Sequence, residues 1–194
     1  MGWKSEMNEN LLIVGAGVYG VVAKEIAESM GCFNKIAYID DERKFTPCEE
    51  NVIGTTKDIE NLSIEYSNVI VAIGNPKVRI TLLKKLEETC NIVSLISPKA
   101  YVAPSAKVMK GCIIEPMGVI QSGSVLATGC IISAGAVVNH ASVLHEGVHV
   151  DCNAIVAGYS TVPKETKVDS GTVFFKENVE KSDVFYSNIK QEKY

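Results

Sequence analysis

No block of like charge, no Cys-x-x-Cys pair and no apolar stretch of membrane-spanning length occurs in these 194 residues. A net charge of -4 without a basic stripe excludes the surface that nucleic acid requires, so a small-molecule partner is expected. Six cysteines without paired spacing, and no cleavable apolar leader, read as reduced thiols of a cytoplasmic protein, with neither a zinc site nor a disulfide framework. The run from Leu11 to Ala23 is apolar, but it is too short to cross a bilayer and is broken by Gly15, Gly17 and Gly20. No membrane insertion is expected. The length allows two cores, and the 46% hydrophobic content is ordinary for a globular protein.

What the chain does have is a repeat. Twelve six-residue units run from Val102 to Val173 without an insertion, opened by Val102, Val108, Ile114, Ile120, Leu126, Ile132, Val138, Leu144, Val150, Val156, Val162 and Val168. Four residues after most openers sits a small side chain, such as Cys112, Ser124, Cys130 or Ser142. One unit cannot bury its aliphatic opener alone, so the units must stack into a hexapeptide β-solenoid. Neither helical nor alternating strand periodicity recurs with this regularity. In proteins with this repeat three units close one left-handed triangular coil, so twelve predict about four coils in which residues eighteen apart stack. Cys112 and Cys130 then stack as buried thiols, in preference to a disulfide.

The first hundred residues differ. Leu11–Val14 leads into Gly15-Ala16-Gly17-Val18-Tyr19-Gly20, followed by Val22, Ala23, Ile26, Ala27 and Met30 at helical spacing: strand, glycine loop, helix. A strand at 35–39 ends in Asp40-Asp41, where dinucleotide folds place the acid that holds a ribose hydroxyl. A further strand, 69–73, leads to Gly74-Asn75-Pro76 and a helix through Arg79, Leu82, Leu83 and Leu86, and 92–96 closes the sheet. Such an open parallel sheet places Gly15, Asp40 and Gly74 along one ligand-binding edge. Ser97-Pro98 marks the boundary, giving an α/β Rossmann-like half-domain over 1–97, an all-β left-handed parallel β-helix over 98–175 and a C-terminal tail over 176–194. The short junction implies domains fixed relative to each other.

All three histidines, His140, His145 and His149, fall within ten residues of the solenoid. His140 has Ser122 and Gly158 eighteen residues away on either side, small neighbours that leave room for a ligand, and a neutral imidazole there suits proton removal from an amine or hydroxyl. His149 lies half a coil further on, so the two share a site only across a subunit interface. The His140-x4-His145 spacing resembles the zinc site of γ-class carbonic anhydrases, but the position two coils earlier is Pro104, and no metal is expected.

With the glycine loop, Asp40-Asp41, Ala72-Ile73-Gly74-Asn75, Arg79, the hexads and the pair Asn139-His140 followed by Val148-His149-Val150, the chain resembles the sialic-acid O-acetyltransferase and UDP-4-amino-sugar N-acetyltransferase family over nearly its whole length. The resemblance implies a homotrimer with acetyl-CoA lying along the solenoid between subunits, near His149, Ala157 and Gly158. His140 would be the general base, and the N-terminal domain would hold a nucleotide-sugar through Gly15, Gly17, Tyr19, Asp40, Asp41, Gly74, Asn75 and Arg79. It implies a cytoplasmic acetyltransferase of cell-surface glycan synthesis in bacteria. The chain departs from the family in having Tyr19 for a histidine, Ala141 for the acid after the base, and a tail near Tyr186-Ser187-Asn188-Ile189 without Gly-Asn-Pro-Ala. The alternatives are O-acetylation of a sugar or serine, a nucleotide-responsive trimeric scaffold without catalysis, and NAD binding on Asp40.

Overall fold

The computed structural model describes residues 10–42 and 51–175, so the tail at 176–194, including Tyr186–Ile189, lies outside the described residues. The chain divides into two compact units between Leu95 and Ile96. The architecture is a Rossmann-like α/β domain followed by a left-handed parallel β-helix.

The first unit is a five-stranded parallel sheet in the order β3-β2-β1-β4-β5, formed by β1 (Leu11–Val14), β2 (Ile36–Ile39), β3 (Val52–Gly54), β4 (Asn68–Val71) and β5 (Asn91–Ile92). All four residues of β1 are buried, as expected of a central parallel strand covered on both faces. Helix α1 (Val18–Met30) follows so closely because Gly20 has no side chain: a Cβ there would collide with the Gly15 carbonyl oxygen. It stops at Gly31, whose left-handed conformation (φ 64°) turns its N–H back onto Glu28 O at 3.1 Å. Helix α2 is the single turn Ile59–Leu62, and helix α3 (Pro76–Leu86) starts with proline in its first turn and is capped by Asn75, whose side chain accepts from Lys77 N and Val78 N. Its Ile80, Leu83 and Leu86 pack with Leu12, Val14, Ile39, Val69 and Val71.

The second unit consists of two-residue strands in three parallel sheets. One holds Leu95–Ile96, Ile113–Ile114, Ile131–Ile132, His149–Val150 and Lys167–Val168. The next holds Tyr101–Val102, Val119–Ile120, Val137–Val138, Ile155–Val156 and Val173–Phe174; the third holds Lys107–Val108, Val125–Leu126, Val143–Leu144 and Thr161–Val162. Each opener pairs with the opener eighteen residues on, as Ile120 with Val138, and Ile114, Ile120, Leu126, Ile132, Val138 and Leu144 are fully buried in one column. Cys112 and Cys130 are buried free thiols that donate to the carbonyls of Ala127 and His145, each at 3.3 Å. Ser124 and Ser142 make the equivalent bonds to Asn139 and Ala157.

Two sequence expectations change. Only Asn91–Ile92 closes the first sheet; Leu95–Ile96 is instead the first strand of the solenoid. The repeat also extends one strand further at its other end, where Phe174 takes the opener's place. Ile96 and Phe174 both pack on the column, because stacking asks only for apolar bulk at that position. The aliphatic criterion misses Phe174, and Ser97-Pro98 hides Ile96.

Every sixth residue from Gly111 to Gly171 has positive φ, including the non-glycines Met117, Ala141, Asn153, Tyr159 and Glu165. From Gly129 onward these residues turn their N–H groups along the solenoid axis onto the preceding coil, as in Ala141 N to Ser122 O (2.9 Å) and Tyr159 N to His140 O (3.0 Å). A left-handed backbone costs a residue with a Cβ about 1–2 kcal/mol, which these inter-coil bonds and the stack offset.

Truncating an opener leaves a void that neighbouring coils cannot fill without losing register. Leu126→Ala should therefore cost about 2–5 kcal/mol, read as a lower urea midpoint at unchanged slope.

Candidate functional site

In the first unit the strand order reverses between β1 and β4, and the loops after these strands border a cleft of about 580 Å³. Gly15, Gly17, Tyr19, Asp40, Asp41 and Gly74 all line it; Asn75 and Arg79 are not among its lining residues. Its wall includes Thr56, Val78 and Leu82, which sequence reasoning did not assign to the site. Val78 and Leu82 sit one helical turn apart on α3, a spacing that reads equally well as packing.

The acids hold the loops in place. Asp40 Oδ2 accepts from Ala16 N and its Oδ1 from Glu42 N, each at 2.7 Å, tying the glycine loop to the end of β2. Asp41 accepts from Thr56 N and Thr56 Oγ1, both at 2.8 Å. Each carboxylate oxygen retains a second lone pair for a hydroxyl of a ligand. Gly15, at φ 106°, lies so close to the β4 loop that a Cβ would stand 2.9 Å from Ala72 O. The cleft thus combines apolar walls, an acidic rim and the N-terminus of α1, whose first N–H groups suit an anion. Arg79 is fully buried, and its Nη1 donates to Ile73 O (2.7 Å) and Gly74 O (2.9 Å), so it fixes the loop from behind.

In the second unit His140 occupies the corner between strands Val137–Val138 and Val143–Leu144 and is exposed. Its Nδ1 lies 2.7 Å from Asn139 Oδ1, which also receives the His140 backbone N–H at 2.7 Å. A backbone N–H can only donate, so the Asn139 atom is the amide oxygen and Nδ1 must carry the proton. Nε2 is left with its lone pair free to accept. One coil on, Gly158 makes room for the ring itself: a Cβ there would come within 3.0 Å of Cε1 and Nε2. The Tyr159 ring meets His140 edge-on, with centroids 5.0 Å apart. Ala157 lies in the same corner of that coil; its carbonyl accepts from Ser142 Oγ at 2.9 Å. Asn139 and Tyr159 were missed as partners of His140. The available signals were adjacency for Asn139 and, for Tyr159, one position past the eighteen-residue repeat.

His145 lies at the next corner of the coil, and His149 on the sheet formed by His149–Val150 and its neighbours, so one chain does not bring the three imidazoles together. His149 Nε2 is 3.0 Å from Ser133 Oγ and 4.0 Å from Asp151 Oδ1. Both contacts reach the same nitrogen, so this is no serine-histidine-carboxylate relay, which uses one nitrogen for each partner. Lys167 Nζ, 2.8 Å from Asp151, is the main cause of an Asp151 carboxyl lowered from 3.8 to about 2. Among the described residues no helix is long and apolar enough to cross a membrane.

Residues 10–86 match the family model of the PglD N-terminal domain. The chain is 31% identical over 110 residues to UDP-N-acetylbacillosamine N-acetyltransferase of Bacillus subtilis; the match covers 55% of this chain and 51%, about half, of that relative. The acetyltransferase domain of PglB from Neisseria gonorrhoeae, solved with acetyl coenzyme A, superposes with a TM-score of 0.81 and 32% identity, covering 86% of this chain and 82% of that one. A variant of perosamine N-acetyltransferase from Caulobacter crescentus, solved with CoA and GDP-perosamine, gives a TM-score of 0.71 and 25% identity, covering 86% and 89%.

The depressed Asp151 carboxyl makes a signed prediction. Its ion pair stabilises the fold above about pH 4, where the unfolded carboxyl is charged, and is lost as pH falls through about 2. The urea-midpoint difference between the native chain and Asp151→Asn should therefore be full at neutral pH and vanish across that window.

Proposed function

Since the chain belongs to the PglD/NeuD-like family, we propose that it is an acetyl-CoA-dependent acetyltransferase acting on a nucleotide-linked 4-amino sugar of the UDP type, with His140 as general base. The observation that carries this reading is the His140 ring, exposed beside Gly158 with Nε2 as its unprotonated nitrogen. The neutral sugar amine attacks the thioester carbonyl, forming the N–C bond as the C–S bond breaks. Nε2 takes a proton from that nitrogen and returns it to the departing CoA thiolate, leaving an amide, CoA and a neutral imidazole. Acetyl-CoA is the co-substrate, with Ala157 and Gly158 near its acyl end.

The first unit takes the nucleotide part. Gly15 and Gly17 let it approach the backbone, the N-terminus of α1 faces its diphosphate, and Asp40 and Asp41 accept from ribose hydroxyls with their remaining lone pairs. Tyr19 and Gly74 border the same space, while Asn75 and Arg79 contribute by holding its loop.

Self-association as a homotrimer is part of the proposal. The outward residues of one solenoid sheet, Tyr101, Val119, Val137, Ile155 and Val173, are all apolar, with Tyr101 at 56% and Val173 at 54% exposure. Such a column supports burial against another copy. His149, on the one sheet that does not flank the His140 corner, would serve the same acyl donor only from a neighbouring copy. A cytoplasmic setting and a place in bacterial polysaccharide biosynthesis complete the proposal.

His140→Ala should lower acetyl transfer to a UDP-4-amino-4,6-dideoxy sugar by about 100-fold or more, with circular dichroism and oligomeric mass unchanged. Unchanged turnover overturns the base assignment. Titration calorimetry with acetyl-CoA should give a saturable heat, and its absence at millimolar donor favours the non-catalytic scaffold.

A further inference from the structure

The His140 turn contains a partner for the imidazole that the chemistry above does not assign. Asn139 Oδ1 accepts two hydrogen bonds, from the backbone N–H of His140 and from its Nδ1, both 2.7 Å long. The first bond fixes which end of the amide faces the ring, and the second then fixes which ring nitrogen holds the proton. A carbonyl-type oxygen in this position selects the Nδ1–H tautomer and leaves Nε2 as the basic atom. We propose that Asn139 is the positioning residue of this site, setting the tautomer and orientation of His140 through its amide oxygen where no carboxylate follows the base.

Three further features support this assignment. The residue after His140 is Ala141, which carries no polar group, has a φ of 53° and is 1% exposed. The turn itself is pinned from both sides, by Ala141 N to Ser122 O on the preceding coil and by Tyr159 N to His140 O on the following one, so the amide and the ring start from a fixed backbone. Tyr159 then meets the ring edge-on, and Gly158, lacking a Cβ, lets the ring lie close against its backbone. An amide adds no negative charge, so Asn139 orients the ring without the ion-pair stabilisation that a carboxylate gives an imidazolium.

The catalytic part of this inference rests on His140 being the base; the tautomer does not. The test therefore has two arms. In long-range 1H–15N spectra of the 15N-labelled full chain at alkaline pH, with His140 assigned by loss of its signals in His140→Ala, the native protein should show a protonated Nδ1 and a bare Nε2. Asn139→Asp should keep that pattern, and Asn139→Ala should move to the Nε2–H form favoured by a histidine side chain in water. A native His140 protonated on Nε2, or an unchanged tautomer in Asn139→Ala, overturns the proposal. In turnover with acetyl-CoA and a UDP-4-amino-4,6-dideoxy sugar, Asn139→Ala should lose about 10- to 100-fold in kcat with KM for acetyl-CoA nearly unchanged, and Asn139→Asp should recover most of it. Equal loss in both variants, or a loss confined to KM, overturns the positioning role. Full turnover by His140→Ala would remove the base assignment and the catalytic role of Asn139 with it, and the spectra would still decide whether the amide sets the tautomer.

Discussion

The second unit depends on the bond between one coil and the next. Strands only two residues long have little pairing of their own, and they persist because each opener stacks on the opener eighteen residues away while the turn amide reaches back to the preceding coil. That turn bond requires a left-handed residue once in every six. The chain supplies glycine at some of these corners and accepts a strained residue at others, Ala141 and Tyr159 among them. Both strained corners flank the His140 ring. The backbone conformation that closes each coil is therefore also what fixes the imidazole and its neighbours.

The first unit meets a different constraint with the same economy. Its parallel sheet needs close approach between β1, α1 and the loop after β4, and glycine allows that approach at Gly15 and Gly20. The two aspartates at the end of β2 bind backbone and hydroxyl donors of adjoining loops, so the acidic rim of the cleft and its scaffold are the same atoms. A ligand there meets a preformed wall.

Much of this was legible in the residues. The period of six announced the solenoid because stacking imposes one apolar side chain per strand, and the eighteen-residue coil placed Gly158 against His140. The glycine loop, the acids after β2 and Gly74 do border one cleft. Other features were out of reach for physical reasons. Ile96 was hidden by the proline that follows it, and Phe174 by the expectation of an aliphatic opener, although the core asks only for bulk. Arg79 reads as a ligand-facing cation in sequence, yet a guanidinium can also satisfy buried carbonyls, and only the fold shows the two it meets. Asn139 stood beside His140 in plain view, but whether a neighbouring amide turns toward the ring depends on torsions that no spacing encodes.

The six-residue turn also governs how such a chain can change length. A single residue inserted between strands breaks the count of six, so the coil must extrude it as a loop at a corner to keep the later openers inward. Duplicating six residues would restore the inward openers but carry every later residue round to the next face of the prism. Only a gain or loss of eighteen keeps every later residue on its own face of the prism, and outside the stretch from His140 to Gly158 it leaves the imidazole against the same neighbour. Drift in size is thus quantised, and whole coils can be added or shed at either end while the corner bearing the imidazole keeps its neighbours.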